Sequence, residues 1–176
     1  MTLKEVYDAV LTPIDELQNA GEYAERLVDA LNTISHEIVT LAQPLEKYTT
    51  LSTSGKILTF PEDFLKLVSI RDSGGNMVKY QKVGVRSYRI VDNTAISYQV
   101  CYKALPSMIT IDTDEDTVLD LPDVAREALI YGITMMIGFD DDDIYGTYSE
   151  KYHNSLANLS EFKDTPTTVA FTGFSI

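Results

Sequence analysis

Pro122-Asp-Val-Ala-Arg-Glu-Ala-Leu-Ile-Tyr-Gly-Ile-Thr-Met-Met-Ile-Gly138 decides the fold. Proline suits a first helical turn, because its φ is already fixed near the helical value and its missing N–H loses no partner there. Asp123 and Glu127 then sit near the positive end of the helix dipole. Beyond them Ala128, Leu129, Ile130, Tyr131, Ile133, Met135, Met136 and Ile137 leave almost no polar side. A helix apolar nearly all round has to be covered, by other helices of the chain or by neighbouring subunits. This stretch, from Asp123 to about Gly138, is the expected central helix.

Two further helices offer that cover. Upstream, Ala24, Leu27, Val28, Leu31, Ile34, Ile38 and Leu41 recur at steps of three or four and form one apolar stripe. Gly21 precedes that helix and Pro44 closes it, while a shorter piece over Leu3–Leu11 ends at Pro13. Downstream, the tight acidic turn Asp140-Asp-Asp-Asp143 starts a last helix, with Asp143 as its expected cap and Tyr145, Tyr148, Tyr152, Leu156 and Leu159 as its stripe.

Between Leu45 and the acidic connector after Leu105-Pro106 the period changes. Lys56–Phe60, Leu65–Arg71, Met77–Tyr80, Tyr88–Val91 and Ala95–Tyr102 are rich in β-branched and aromatic residues and read as strands. Ser54-Gly55, Asp72-Ser-Gly-Gly-Asn76 and Asp92-Asn-Thr94 supply turns. Short spacing predicts an antiparallel sandwich or barrel. The expected class is therefore α+β: a helical bundle of the N-terminal helix and a C-terminal helical hairpin, with a small antiparallel β-sandwich or barrel inserted. The parts are 1–44 (helical), 45–121 (β module), 122–163 (hairpin) and 164–176, an extended C-terminal arm carrying Val169, Phe171, Phe174 and Ile176.

Composition bounds the function. The 176 residues hold 27 acidic and 14 basic side chains, a formal charge of −13. That argues against a sequence-independent nucleic-acid binder, whose affinity comes from Lys and Arg on phosphates. With 44% hydrophobic residues the chain can bury a core. Cys101 is alone, so no internal disulfide and no Cys/His zinc spacing is available, and a reducing compartment fits. No basic region followed by an apolar run opens the chain, so no secretory signal is expected. The apolar run Ala128–Phe139 falls well short of the roughly 20 residues that span a bilayer, so no membrane association is expected.

Chemical motifs are sparse. Asp112, Asp114, Asp116, Asp120 and Asp123 fall at positions 1, 3, 5, 9 and 12 of an EF-hand-like loop. Position 6, where the sharp turn needs Gly, is Thr117, and position 12 is Asp rather than the longer bidentate Glu. An acidic calcium-binding interaction module is thus the alternative reading, and a solvated acidic linker the plainer one. The only candidate catalytic bases, His36 and His153, both lie in expected helices, so a hydrolase is remote and no enzymatic role, catalytic residue, metal or cofactor is expected. Ser54-Gly55-Lys56 lacks the first Gly of a phosphate loop. The 11 tyrosines lack the basic groove that base-stacking platforms need, so they read as packing.

The pattern as a whole resembles the head-to-tail adaptor (connector or neck) proteins of tailed bacteriophages, including the tail tubular protein A group. The likeness rests on the helix Ala24–Ala42 with its Ala-Leu-Asn-Thr-Ile-Ser-His-Glu-Ile run and on Phe60-Pro-Glu-Asp-Phe-Leu-Lys-Leu-Val-Ser-Ile-Arg-Asp72. Ile96–Pro106, a strand ending in Leu-Pro before an acidic linker, and Leu121-Pro-Asp before a helical hairpin complete it. The resemblance implies a structural virion protein of the neck or tail, made in the host cytoplasm. It would form a homo-oligomeric ring, commonly a dodecamer, that binds the portal protein above and a downstream tail protein below. Double-stranded DNA would pass through during genome packaging and ejection without specific binding. An acidic wall, with Asp140, Asp141, Asp142 and Asp143 as its candidates at the channel or surface, would keep phosphates from sticking. The arm residues Val169, Phe171, Phe174 and Ile176 would meet the portal or a ring neighbour.

Overall fold

A computed structural model describes residues 1–14, 20–91 and 95–162 of the chain. The elements run α1 (Leu3–Leu11), α2 (Ala20–Leu41), β1 (Leu45–Ser52), β2 (Ile57–Thr59), β3 (Phe64–Arg71), β4 (Tyr80–Lys82), β5 (Ser87–Ile90), β6 (Ser97–Ala104), a single 3₁₀ turn (Asp123–Ala125), α3 (Arg126–Ile137) and α4 (Asp142–Phe162). The fold is mixed α+β, and among the described residues it has two three-stranded antiparallel sheets and no closed barrel.

Helix α1 starts on a capping box. The Thr2 hydroxyl accepts from the Glu5 N–H at 3.3 Å, and the Glu5 carboxylate accepts from the Thr2 N–H at 3.0 Å. Leu3, Val6, Val10 and Leu11 line its buried face. The buried apolar residues of α2 and its exit are Leu27, Ala30, Leu31, Ile34, Ile38, Val39 and Ala42. The expected stripe holds to Ile38, but its last member fails: Leu41 is exposed and Ala42 takes the inward place. A step of three from Ile38 falls about 60° short of a full turn, whereas a step of four passes it by only about 40° and stays nearer the seam. The helix also begins at Ala20, so Gly21 lies inside its first turn rather than before it.

Helix α3 is the centre of the helical core. Ala128, Leu129, Gly132, Ile133, Thr134 and Ile137 are buried, and Ile130, Tyr131, Met135 and Met136 are half-buried. Helices α1, α2 and α4 pack on it, so its cover comes from the same chain and needs no neighbouring subunit. Gly132 sits at the tightest point. A Cβ there would lie 2.8 Å from Ile34 Cγ2 and 2.9 Å from Tyr152 Cε2, so α2 and α4 both approach α3 where it has no side chain. Of the α4 stripe, Tyr152 and Leu159 are buried, Tyr148 and Leu156 are half-buried, and Tyr145 is exposed.

The sheets have the orders β1-β6-β3 and β2-β5-β4. They face each other across a second core of Leu58, Phe60, Ile70, Tyr88, Ile90, Tyr98, Val100, Tyr102 and Ala104. Phe60 joins the layers, its ring 5.5 Å from Tyr88 and 5.7 Å from Tyr102, both edge-on. The strand β1 was not expected. Its sequence, Leu-Glu-Lys-Tyr-Thr-Thr-Leu-Ser, is too polar to read as a strand, and it runs along an edge of its sheet with only β6 as partner. The Met77–Tyr80 strand moves to Tyr80–Lys82, with Met77 bridging Arg71 alone.

Both expected turns within the described residues form. Gly55 and Lys56 take positive φ between the bridged pair Ser54 and Ile57. The Asp72 carboxylate accepts from the N–H groups of Gly74 and Asn76, each at 2.9 Å. The expected turn Asp92–Thr94 lies outside the described residues. At the exit of the β module Asp63 works as a latch: its carboxylate takes the Lys47 ammonium at 2.8 Å and the Tyr102 hydroxyl at 3.1 Å, and its carbonyl accepts from Leu105 N–H at 2.7 Å.

Candidate functional site

The acidic connector 105–121 is held against the helical core rather than the sheets, with Ile109, Leu119 and Leu121 buried there. Asn32 of α2 grips it with both ends of its amide, donating to the Ile109 carbonyl at 2.8 Å and accepting from the Ile109 N–H at 2.9 Å. Thr2 bridges Val118, and the N–H groups of Leu3 and Lys4 reach the carbonyls of Thr117 and Glu115, each at 2.9 Å. Fixed at both flanks, the connector turns Asp112, Asp114, Glu115 and Asp116 into solvent.

Its carboxylates serve the backbone one by one. The Asp120 carboxylate accepts from the Ser107 hydroxyl at 2.6 Å and the Ser107 N–H at 3.0 Å, which holds it below the usual aspartate range. Asp114 accepts from the Asp116 N–H at 2.9 Å. Among the described residues no three of these acids, nor any other set of His, Cys, Asp or Glu, come together as a metal-binding group.

The turn between α3 and α4 is tight because Gly138 packs where a Cβ would overlap Ile144. Asp140, Asp141, Asp142 and Asp143 are all exposed there. Asp141, not Asp143, caps α4: its carboxylate accepts from the N–H groups of Asp143 at 3.0 Å and Ile144 at 3.1 Å. The cap belongs to the residue just before the first helical one, and the helix starts two residues earlier than a cap at Asp143 implies. Arg26 closes the turn from α2, donating to the Ile137 carbonyl at 2.8 Å, lying 3.9 Å from Asp140 and stacking on Tyr23 and Phe139.

Of the candidate bases, His36 is exposed on α2 beside a cleft whose other wall is Leu105, Pro106 and Met108. His153 is exposed on α4, with Nδ1 2.7 Å from the carbonyl of Ser149 one turn back. Cys101 is buried on the outer face of β6 opposite Tyr48, and burial pushes its thiol pKa up. The arm residues Val169, Phe171, Phe174 and Ile176 lie outside the described residues.

One feature escapes a whole-chain reading of charge. Residues 45–104 hold nine basic and five acidic side chains, a net of +4. The remaining residues hold five basic and 22 acidic, a net of −17. The sheets are a basic module carried on an acidic helical body, and counting charge by segment finds this. No protein-family model matches the chain, and no curated protein matches its sequence. No helix among the described residues is long and apolar enough to cross a membrane.

Proposed function

We propose that the chain is a structural subunit of a tailed-phage head-to-tail adaptor, assembling as a ring beneath the portal protein, extending the DNA channel and presenting a surface to the next tail component. The observation that carries this reading is the insertion of the two-sheet module between α2 and α3, the helices that pack together to form the body. The residues on which the likeness rests fall at the joints of that architecture. Phe60-Pro-Glu-Asp63 turns the chain into β3, Leu105-Pro106 takes it out of β6, and Leu121-Pro-Asp123 opens the α3–α4 hairpin. The exposed acids of the helical body suit a conduit, since a negative wall repels DNA phosphates at short range. No enzymatic step is part of this function.

Mixing the protein with the portal protein of the same virus and imaging by negative stain tests it. Rings seated coaxially on the portal are the expected result. Protein that stays monomeric at tens of micromolar and never joins the portal overturns the reading.

A further inference from the structure

The sheet β2-β5-β4 packs its inward face on the other sheet and turns a basic face outward. Residues 54–60 and 77–91, which build β2-β5-β4 and its turns, contain five bases, Lys56, Lys79, Lys82, Arg86 and Arg89, and no acid. Lys56, Lys82 and Arg89 are exposed, and neither they nor Arg86 belong to an ion pair among the described residues. Arg89 faces outward because its neighbours Tyr88 and Ile90 are buried inward. Apolar groups accompany these charges. The β4–β5 hairpin presents Val83, Tyr80 and Val85, the last 84% exposed.

The connector carries a matching surface of opposite sign. Asp112, Asp114, Glu115 and Asp116 point into solvent within a segment that also exposes Met108, Ile111 and Val118, at 79%, 60% and 67%. We infer that the basic hairpin sheet of one copy seats on the acidic, apolar-studded connector of a second copy. This inference rests on the ring reading and deepens it by naming the faces. Two different surfaces meeting give a head-to-tail contact, the kind that closes into rings. Apolar side chains at the centre with opposite charges around them are the makings of a specific interface, the charges speeding encounter and fixing register. Duplex DNA is the poorer occupant: four or five cations release few counterions, and the chain's net −13 repels a polyanion.

A charge-swap experiment decides it. Lys82→Glu/Arg89→Glu reverses the sheet, and Asp112→Lys/Asp116→Lys reverses the connector, all at exposed positions. Mass photometry and sedimentation, on the protein alone and on its complex with the portal, should show wild type associating less as salt rises. Each variant alone should lose association at least tenfold, and an equal mixture should regain it, because reversed sheet then meets reversed connector. Unfolded variants could not rescue one another, and Lys82→Gln/Arg89→Gln gives a milder form of the loss. Rings that form normally from either variant overturn the seating while leaving the adaptor reading intact. Wild type that neither associates nor joins the portal overturns both. Duplex DNA binding that disappears in Lys82→Glu/Arg89→Glu while self-association is unchanged overturns the seating in favour of a polyanion site.

Discussion

Gly132→Ala should destabilise the protein although alanine is the better helix former. The added Cβ would lie 2.8 and 3.0 Å from two carbons of Ile34 and 2.9 Å from the Tyr152 ring, well inside ordinary contact distance. Ile34 and Tyr152 are buried, so neither can swing into solvent to make room. Overpacking a tight core costs about 1–3 kcal/mol, and the gain in helix propensity returns about 1 kcal/mol. The net is a loss of about 1 kcal/mol, or about 2–4 °C in melting temperature for a chain of this size. Gly146 on α4 is the control, because a Cβ there meets nothing within 4 Å and Gly146→Ala should stabilise by up to about 1 kcal/mol. Urea unfolding followed by far-ultraviolet circular dichroism reads both, with unchanged slopes confirming that the midpoints report stability. A third variant isolates the cause: Ile34→Ala removes two of these three crowding atoms, so combined with Gly132→Ala it should be less destabilised than the two singles predict together. If Gly132→Ala raises the midpoint as Gly146→Ala does, the three-helix contact at this glycine is wrong.

Other outcomes follow from the connector, the caps and the outer sheet face. Asn32→Ala deletes both amide bonds to Ile109 and should cost about 1–3 kcal/mol, seen as a lower urea midpoint and faster protease cleavage within 105–121. Asp141→Ala should cost about 1 kcal/mol of stability, and Asp143→Ala clearly less, because the capping oxygen is on Asp141. Asp120 has a lowered folded pKa, so its stabilising contribution is complete above the ordinary aspartate range and is lost as pH falls through the folded value. Ser107→Ala should therefore flatten the fall in stability below about pH 4. Tyr48→Ala should speed labelling of Cys101 by a thiol reagent severalfold, since Tyr48 stands directly opposite it on the outer face of the sheet and Cys101 is only 4% exposed.

What the sequence made legible follows from where a single physical signal dominates. The helix Leu3–Leu11 has a regular apolar face and a proline just beyond its end, and it forms over those residues. The strands around Leu65–Arg71 and Ala95–Tyr102 are rich in β-branched and aromatic residues, and they pair side by side in one sheet. β1 was illegible because an edge strand needs few apolar residues, and its polar run resembles a loop until β6 is seen beside it. The reach of Asn32 to Ile109 is a single polar side chain across 77 positions, which no local pattern encodes. The aspartate-rich turn announced a helix start, but not which of four adjacent acids would accept the N–H groups.

The central helix shows a subtler failure, and it shifts the weight of the functional argument. Its apolar surface admitted two kinds of cover, and the chain's own α1, α2 and α4 provide it, so α3 no longer speaks for a ring. The case for association passes to the surface, where the net charge of −13 conceals a module of +4 on a body of −17. Identical strongly acidic bodies brought side by side repel one another, by an amount that salt moderates over about 8–10 Å. A basic module on every copy, set against the acidic connector of the next, changes the sign of the nearest interaction without changing the charge of the whole. The same arrangement gives no part in that contact to the acids of Asp140–Asp143, which follow the opposite end of α3 from the connector. Reversing Asp140 and Asp142 to Lys should thus leave ring formation intact, and loss of rings in that variant would show that the helical turn, rather than the connector, meets the neighbouring sheet.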